Sequence, residues 1–492
     1  MTPEQKKFAK GYRFNNFEGQ PEAKISQLDI PSKVTIPLKQ GFGDEVAPIV
    51  EIGQTVEAGQ IIGRDDESIS SPVHSSINGE VVAIEKIDYL GEETTVITIE
   101  SNGNDGLQTL PGASVNWQDM PADTIDELVY LSGAASSGTS GIPTTFNSAS
   151  IMPNEVENVI VQGVASQIHN ISLEVLLKGD ILSHFTAGLK ILKKLMPKAR
   201  FHMALDESQN RTISKALQLM SPVKTINVFT VPRKYPLHRD EVLIPLLLGQ
   251  KIPHGYLAAN IGAIVLDIPA ILAVYDAVTE GIPLIEKTIA LCGPGFRENT
   301  HVKARIGTCL EDILKKRTKP GKDIRLVKNS CLTGNTLTDM SLPISRTFNS
   351  IIALTEGTER EFLSFVRPGV NKDSFSRVFL SSLFEGLSPR IKKGCDTNLH
   401  GEVRPCIACG FCEDVCPVNL IPHLLFHQVQ NDVIDELLIN YKIFDCIDCN
   451  LCTYVCTSKI PLAKYIKDGR EKLADEGLTC PEPDFPLKGV KP

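Results

Sequence analysis

No stretch of this chain reaches the roughly 18 uninterrupted apolar residues that a helix needs to cross a bilayer. The nearest approach, Leu257 to Val278, is interrupted by Asn260, Asp267, Pro269 and Asp276, a pattern that suits buried strands and helices. An excess of positive charge is missing as well. With 50 Lys+Arg against 59 Asp+Glu the formal net charge is -9, which argues against nucleic acid and against a broad anionic lipid surface as partners. The opening Met-Thr-Pro-Glu-Gln-Lys-Lys holds no apolar signal segment, so a reducing compartment is expected and disulfides are not. Hydrophobic content of 42% and charged content of 22% over 492 residues predict an ordinary globular chain of three or four domains.

Thirteen cysteines stand out against this background. Eight fall in two copies of one pattern, forty residues apart: Cys406-Ile-Ala-Cys409-Gly-Phe-Cys412-Glu-Asp-Val-Cys416-Pro417 and Cys446-Ile-Asp-Cys449-Asn-Leu-Cys452-Thr-Tyr-Val-Cys456. Each is the C-x2-C-x2-C-x3-C run that wraps a cubane iron–sulfur cluster, in which three close thiolates take three corners and the fourth cysteine reaches to the other cluster. On that rule Cys406, Cys409, Cys412 and Cys456 hold one [4Fe–4S] cluster, and Cys446, Cys449, Cys452 and Cys416 hold the other. Zinc ribbons use separated C-x2-C pairs, and no histidine stands at zinc-ligand spacing here. The remaining Cys292, Cys309, Cys331, Cys395 and Cys480 are isolated in sequence and are expected to behave as small buried hydrophobes.

Along the chain, residues 1–32 read as an arm or wrap. Residues 33–104 alternate short β-rich runs with turn signals, as in a small barrel or sandwich. Their order resembles the lipoyl or biotinyl carrier hammerhead, but the tip Val73-His74-Ser75-Ser76-Ile77-Asn78 has no lysine to carry a prosthetic group, and His74 is expected at a surface or an interface. Over 120–300, strand signals at Val159–Gln162, Phe201–Leu205, Thr225–Phe229 and Gly262–Leu266 interleave with helical spacing, notably Leu173 to Leu195, and predict a parallel-sheet α/β domain. Residues 301–358, with a helix expected over Thr308 to Lys315, suit a small β-grasp domain. A connection through Phe362-Leu363-Ser364-Phe365 and Arg367-Pro368-Gly369 leads to a helical two-cluster ferredoxin domain at 370–475, with helices predicted at Leu420 to Val429 and Val433 to Tyr441, and then a proline-rich extended tail over 476–492.

With these residues in hand the chain resembles the C subunit of the Rnf electron-transport complex and, more distantly, the A subunit of sodium-pumping NADH:quinone reductase. The resemblance is carried by Cys406 to Lys464, including Cys416-Pro417-Val418-Asn419-Leu420 and Phe444-Asp445-Cys446-Ile447-Asp448-Cys449, and by the block from Ile252-Pro253-His254-Gly255 to Gly307-Thr308. It implies a multidomain α/β plus β fold: a barrel-sandwich hammerhead, a Rossmann-like α/β domain resembling the flavoprotein subunit of complex I, a β-grasp (SLBB-like) domain and an α-helical dicluster ferredoxin domain. The family's nucleotide loop, Gly-x-Gly-Gly-Ala-Gly-Phe-Pro-Thr, corresponds to Ser136 through Thr144, with Gly133-Ala134-Ala135 before it. Gly133, Gly138, Gly141 and Thr144 are the residues here that the resemblance makes cofactor-binding. Ser136, Thr139, Ser140 and Ile142 depart from the pattern, and the lysine after Pro-Thr is absent. An acidic stretch has become Gln162-Gly163-Val164-Ala165-Ser166-Gln167-Ile168, and a Tyr-Pro-Gln-Gly-Gly-Glu segment has become Tyr235-Pro236-Leu237-His238-Arg239-Asp240-Glu241. Glycines let backbone N–H groups approach phosphate, so these losses weaken the expectation of NAD(H) and argue against FMN.

The expected function is electron relay through two [4Fe–4S] clusters, in a peripheral subunit on the cytoplasmic face of the cell membrane. The relay would run between NADH or a soluble ferredoxin and the flavin-bearing and ferredoxin-like subunits of an Rnf- or Nqr-type complex that moves Na+ or H+. The alternatives are a soluble iron–sulfur subunit of a hydrogenase or dehydrogenase, and a docking adaptor with a degenerate NADH site.

Overall fold

The computed structural model describes residues 4–208, 215, 226–321, 323–357, 369, 371–377, 391–483 and 485–489. The expected connection at Phe362-Leu363-Ser364-Phe365 and Arg367-Pro368 lies outside them.

The first compact unit is a four-stranded antiparallel sheet, Lys33–Pro37, Glu92–Ser101, Gly79–Tyr89 and Thr55–Val56 in spatial order, with the pair Ile61–Gly63 and Val73–His74. Val34, Ile36, Val81, Ile97 and Ile99 close its core. The hammerhead tip is not at a free surface: His74 and Ser76 are buried, and the Ser76 hydroxyl donates to the Ile306 carbonyl at 2.5 Å. Burial and the neighbouring Arg346 push His74 down to about 3. The tip is an interface, closed to any carrier role.

A five-stranded parallel sheet follows, in the order Glu4–Gln5, Ile226–Val231, Arg200–Asp206, Asn158–Gly163, Ala263–Asp267. Three of its strands, Arg200–Asp206, Asn158–Gly163 and Ala263–Asp267, are rich in apolar residues pointing to both faces, each of which is covered by a core. Val159 and Val161 enter one core and Ile160 the other, and Ile264 and Leu266 oppose Ala263 and Val265 in the same way. The expected helix over Leu173 to Leu195 is two pieces, Leu173–Leu176 and Ile181–Leu195, parted at Gly179, whose φ of 64° is left-handed.

A six-stranded mixed sheet contains Thr336–Leu337, Ile324–Lys328, Ser350–Thr355, Glu286–Cys292, Thr300–Arg305 and Ile25–Gln27. Glu286–Cys292 belongs to this sheet as the antiparallel partner of Thr300–Arg305 and the parallel partner of Ser350–Thr355. Its short helix spans Leu310–Leu314. The N-terminal arm therefore adds an edge strand to the parallel sheet with Glu4–Gln5 and another to the mixed sheet with Ile25–Gln27.

The C-terminal unit is helical: Phe411–Val415, Pro422–Gln430, Glu436–Asn440, Leu451–Val455 and Leu462–Asp475. It docks on the arm and the α/β unit. Gly11 N–H donates to the Val415 carbonyl at 3.0 Å, Lys10 to the Glu413 carbonyl at 3.0 Å and Tyr235 to the Cys449 carbonyl at 2.7 Å. Among the described residues no helix is long and apolar enough to cross a membrane.

Candidate iron–sulfur sites

The forty-residue sequence repeat is also a backbone repeat. Ala408 and Asp448, Gly410 and Asn450, and Asn419 and Lys459 all have positive φ, and each pair stands forty residues apart. The left-handed residue inside each C-x2-C turn folds the chain back so that successive thiols face one centre. Gly410 and Asn450 then start the matching helices Phe411–Val415 and Leu451–Val455.

Two small cavities result. Cys406, Cys409, Cys412 and Cys456 line one, together with His423 and Thr457. Cys416, Cys446, Cys449 and Cys452 line the other, with Leu420, Ile447 and Ile466 around them. Three cysteines in each cavity come from one motif and the fourth from the other. Ala408 N–H donates to the Cys406 sulfur at 3.4 Å and Leu420 N–H to the Cys416 sulfur at 3.3 Å. The Thr457 hydroxyl lies 3.7 Å from the Cys409 sulfur, and His423 Nδ1 is 3.8 Å from the Cys412 sulfur. Arg470 donates to the Cys446 carbonyl at 3.0 Å while pairing with Asp448.

Burial pushes the Cys412 and Cys449 thiols up to about 11 and Cys446 to about 12, and it raises Cys416 and Cys452 too. Four buried sulfurs can all ionise only if cations among them balance the charge, which suits an iron cluster.

The degenerate loop is occupied by its own protein. Arg346, buried and lowered by burial to about 10, donates from Nη1 to the Ser136 hydroxyl at 2.9 Å and from Nη2 to the Pro72 carbonyl at 2.8 Å. A Cβ on Gly133 would stand 2.2 Å from that Nη2, and one on Gly141 would stand 2.8 Å from the Phe42 ring. Thr144 is buried and shares a hydrogen bond with Ser148, and Gly138 is exposed. The Thr139 hydroxyl donates to the Asp240 carboxylate. Desolvation raises Asp240 to about 7. The two altered segments also face each other, Ser166 Oγ lying 2.8 Å from His238 Nδ1 and Gln167 Nε2 lying 3.1 Å from His238 Nε2.

Comparison with known proteins agrees with this layout. Residues 6–104 match the RnfC barrel sandwich hybrid domain, 288–339 the C-terminal (SLBB) domain of NQRA, and 405–461 a 4Fe-4S dicluster domain. The C subunit of the proton-translocating ferredoxin:NAD(+) oxidoreductase complex of Clostridium ljungdahlii is 25% identical over 449 residues, 90% of this chain and 88% of that protein. Over most of its length the chain is similar to the C subunits of ion-translocating oxidoreductase complexes. The C subunit of the Na(+)-translocating ferredoxin:NAD(+) oxidoreductase complex of Acetobacterium woodii is 23% identical over 82% of this chain and 83% of its own. The C subunit of the ion-translocating oxidoreductase complex of Pseudomonas aeruginosa is 27% identical over 92% of this chain, which spans only 54% of that longer protein. The fold thus joins a barrel-sandwich domain, an SLBB domain and a C-terminal 4Fe-4S ferredoxin domain in one chain.

Sequence reasoning missed one group. His169, Cys331 and Cys395 converge beside the second cysteine cavity, although they are far apart in sequence and no local motif marks them.

Proposed function

We propose that this chain is a peripheral electron-transfer subunit of an Rnf- or Nqr-type ion-translocating membrane oxidoreductase, held at the cytoplasmic face by flavin-bearing and ferredoxin-like partner subunits. The single observation that carries this reading is the pair of four-cysteine cavities, each completed by a cysteine from the other motif. Cys406, Cys409, Cys412 and Cys456 would hold one [4Fe–4S] cluster and Cys416, Cys446, Cys449 and Cys452 the other. Bound there, the clusters supply one-electron oxidation and reduction. The chain's own residues hold the sulfurs, exclude water with Leu420, Ile447 and Ile466, and direct N–H and O–H groups at sulfur. Domain limits at 33–104 and 370–475, and the likeness of the α/β unit to the complex I flavoprotein subunit, belong to this same reading; the limit expected between 300 and 301 falls instead before Glu286, whose strand pairs with Thr300–Arg305 in the mixed sheet.

The contacts of Ser136 with Phe42 and Arg346, and of Arg346 with Pro72, favour a loop that docks the α/β unit on the barrel and the SLBB unit over one that cradles phosphate. A ferredoxin, not NADH, is then the soluble partner. The test is anaerobic iron and sulfide analysis with visible spectroscopy: about eight irons per chain, bleached by reduced ferredoxin but not by NADH, is the expected result. Bleaching by NADH at catalytic rates would return the loop to a nucleotide site, and fewer than about four irons would remove the relay.

A further inference from the structure

Beside the second cysteine cavity, three chain segments that are remote in sequence each bring one ligand atom to a common point. His169 lies in the loop after the strand Asn158–Gly163, Cys331 follows the strand Ile324–Lys328, and Cys395 lies in the segment leading to the ferredoxin unit. One ring nitrogen of His169 and the two sulfurs all lie within 4.8 Å of one another. His169 Nδ1 is 3.4 Å from the Cys331 sulfur, and the two sulfurs are no more than 4.8 Å apart. His169 is 1% exposed and Cys395 7% exposed.

The surroundings are those of a metal ligand set. The second ring nitrogen, Nε2, lies 2.8 Å from the backbone carbonyl of Glu18 in the N-terminal arm. A proton on Nε2 leaves Nδ1 as a lone pair aimed at the sulfurs, and a metal-bound histidine is ordinarily held in this way by its other nitrogen. The Cys395 backbone is fixed on both sides by bridges from Phe17 to Lys393 and from Thr355 to Asp396, and its N–H donates to the Glu18 carboxylate at 3.2 Å. A tetrahedral zinc with Zn–S of about 2.3 Å and Zn–N of about 2.0 Å sets its nitrogen and sulfur ligands roughly 3.5 Å apart. The His169–Cys331 separation has that value without rearrangement.

We propose that His169, Cys331 and Cys395 form a structural Zn2+ site, distinct from the eight cysteines of the two motifs, with Glu18 or a water completing the tetrahedron. Binding replaces the two thiol protons, which go to solvent, with one Zn2+, and no electron is transferred. The ion ties the N-terminal arm, the α/β loop, the SLBB unit and the connecting segment at one point. Cys395 and Cys449 share one buried cluster with Phe14, Phe17 and Tyr235, so this tie sets the seat of the ferredoxin unit.

The experiment is elemental analysis and zinc K-edge absorption on the full chain, purified anaerobically with its iron. One zinc per chain, with two sulfurs at about 2.3 Å and the remaining ligands nitrogen or oxygen, is the expected result. Cys331→Ser and His169→Ala should each lose that zinc while iron content and the visible cluster spectrum stay unchanged, and Cys480→Ser should keep it. Zinc well below one per chain in the unaltered protein overturns the site, as does a shell of four sulfurs, which would place the ion in a cluster cavity. A Cys331–Cys395 disulfide found by mass spectrometry of the alkylated protein overturns it as well. If the variants fail to fold, the ligand shell of the unaltered chain still decides.

Discussion

Thr457 stands where the first motif has Pro417, and its hydroxyl lies 3.7 Å from the Cys409 sulfur. Toward an iron-bound thiolate the hydroxyl can only donate, and a donor to sulfur stabilises the reduced cluster and raises its potential. Thr457→Val should therefore lower the potential of that cluster by roughly 40 mV, the equivalent of about 1 kcal/mol for one electron. A redox titration followed by electron paramagnetic resonance reads the shift, and an unchanged potential would deny the bond. Cys449→Ser should cut iron from about eight to about four per chain and leave the parallel sheet folded by circular dichroism. Asp240 titrates oppositely to most carboxylates. Its folded value of about 7 is above the usual 3.8, so between these values the unfolded chain binds fewer protons, and stability falls as pH rises. Asp240→Asn should remove that slope and gain on the order of 2 kcal/mol above pH 7, read as unfolding midpoint against pH.

At the scale of elements, the loop from Gly133 to Thr144 shows how substitutions acquire new partners. Ser136 is bonded to a buried arginine, and Gly133 is kept small by the same guanidinium and by its φ of 76°. Gly133→Ala should cost about 2 kcal/mol or more in denaturant unfolding, from left-handed strain and the clash together. Ser136→Gly with Thr139→Gly, which restores the family's glycines, should lower stability by about 1–3 kcal/mol by stripping the buried Arg346 of an acceptor. It should bring no gain in NADH affinity by calorimetry. In the parallel sheet, by contrast, the strands Asn158–Gly163, Arg200–Asp206 and Ala263–Asp267 lie where their apolar runs predict, since burial on both faces leaves a plain sequence signal. The break at Gly179 was hidden because the apolar spacing continues through it.

Across the whole molecule the N-terminal arm acts as a strap. It extends two different sheets and bonds to the ferredoxin unit through Lys10 and Gly11. Tyr12 and Phe14 also pack edge-on among Phe375, Tyr235 and Tyr454. Removing residues 4–20 should raise amide exchange in Phe411–Val415 and Leu451–Val455 more than in the barrel strands, and mass spectrometry of exchanged peptides would show it. Equal protection in both would make the strap irrelevant to the docking. The proline-containing tail is held as well: Lys488 N–H donates to the Asn260 carbonyl, and Asn260 donates in return to the Lys488 carbonyl.

What the sequence by itself determined is local. The three thiols of each C-x2-C-x2-C run face one centre once the intervening backbone turns left-handed, so the cluster motifs, their repeat and the sheet-forming runs could be read directly. What only the tertiary structure decided is long-range: that Arg346 fills the space beside Ser136, that Asp240 meets Thr139, and that His169, Cys331 and Cys395 arrive at one point. No spacing rule links such residues, because the contact is set by how separate sheets and the arm pack, and that packing is fixed by burial summed over the whole chain.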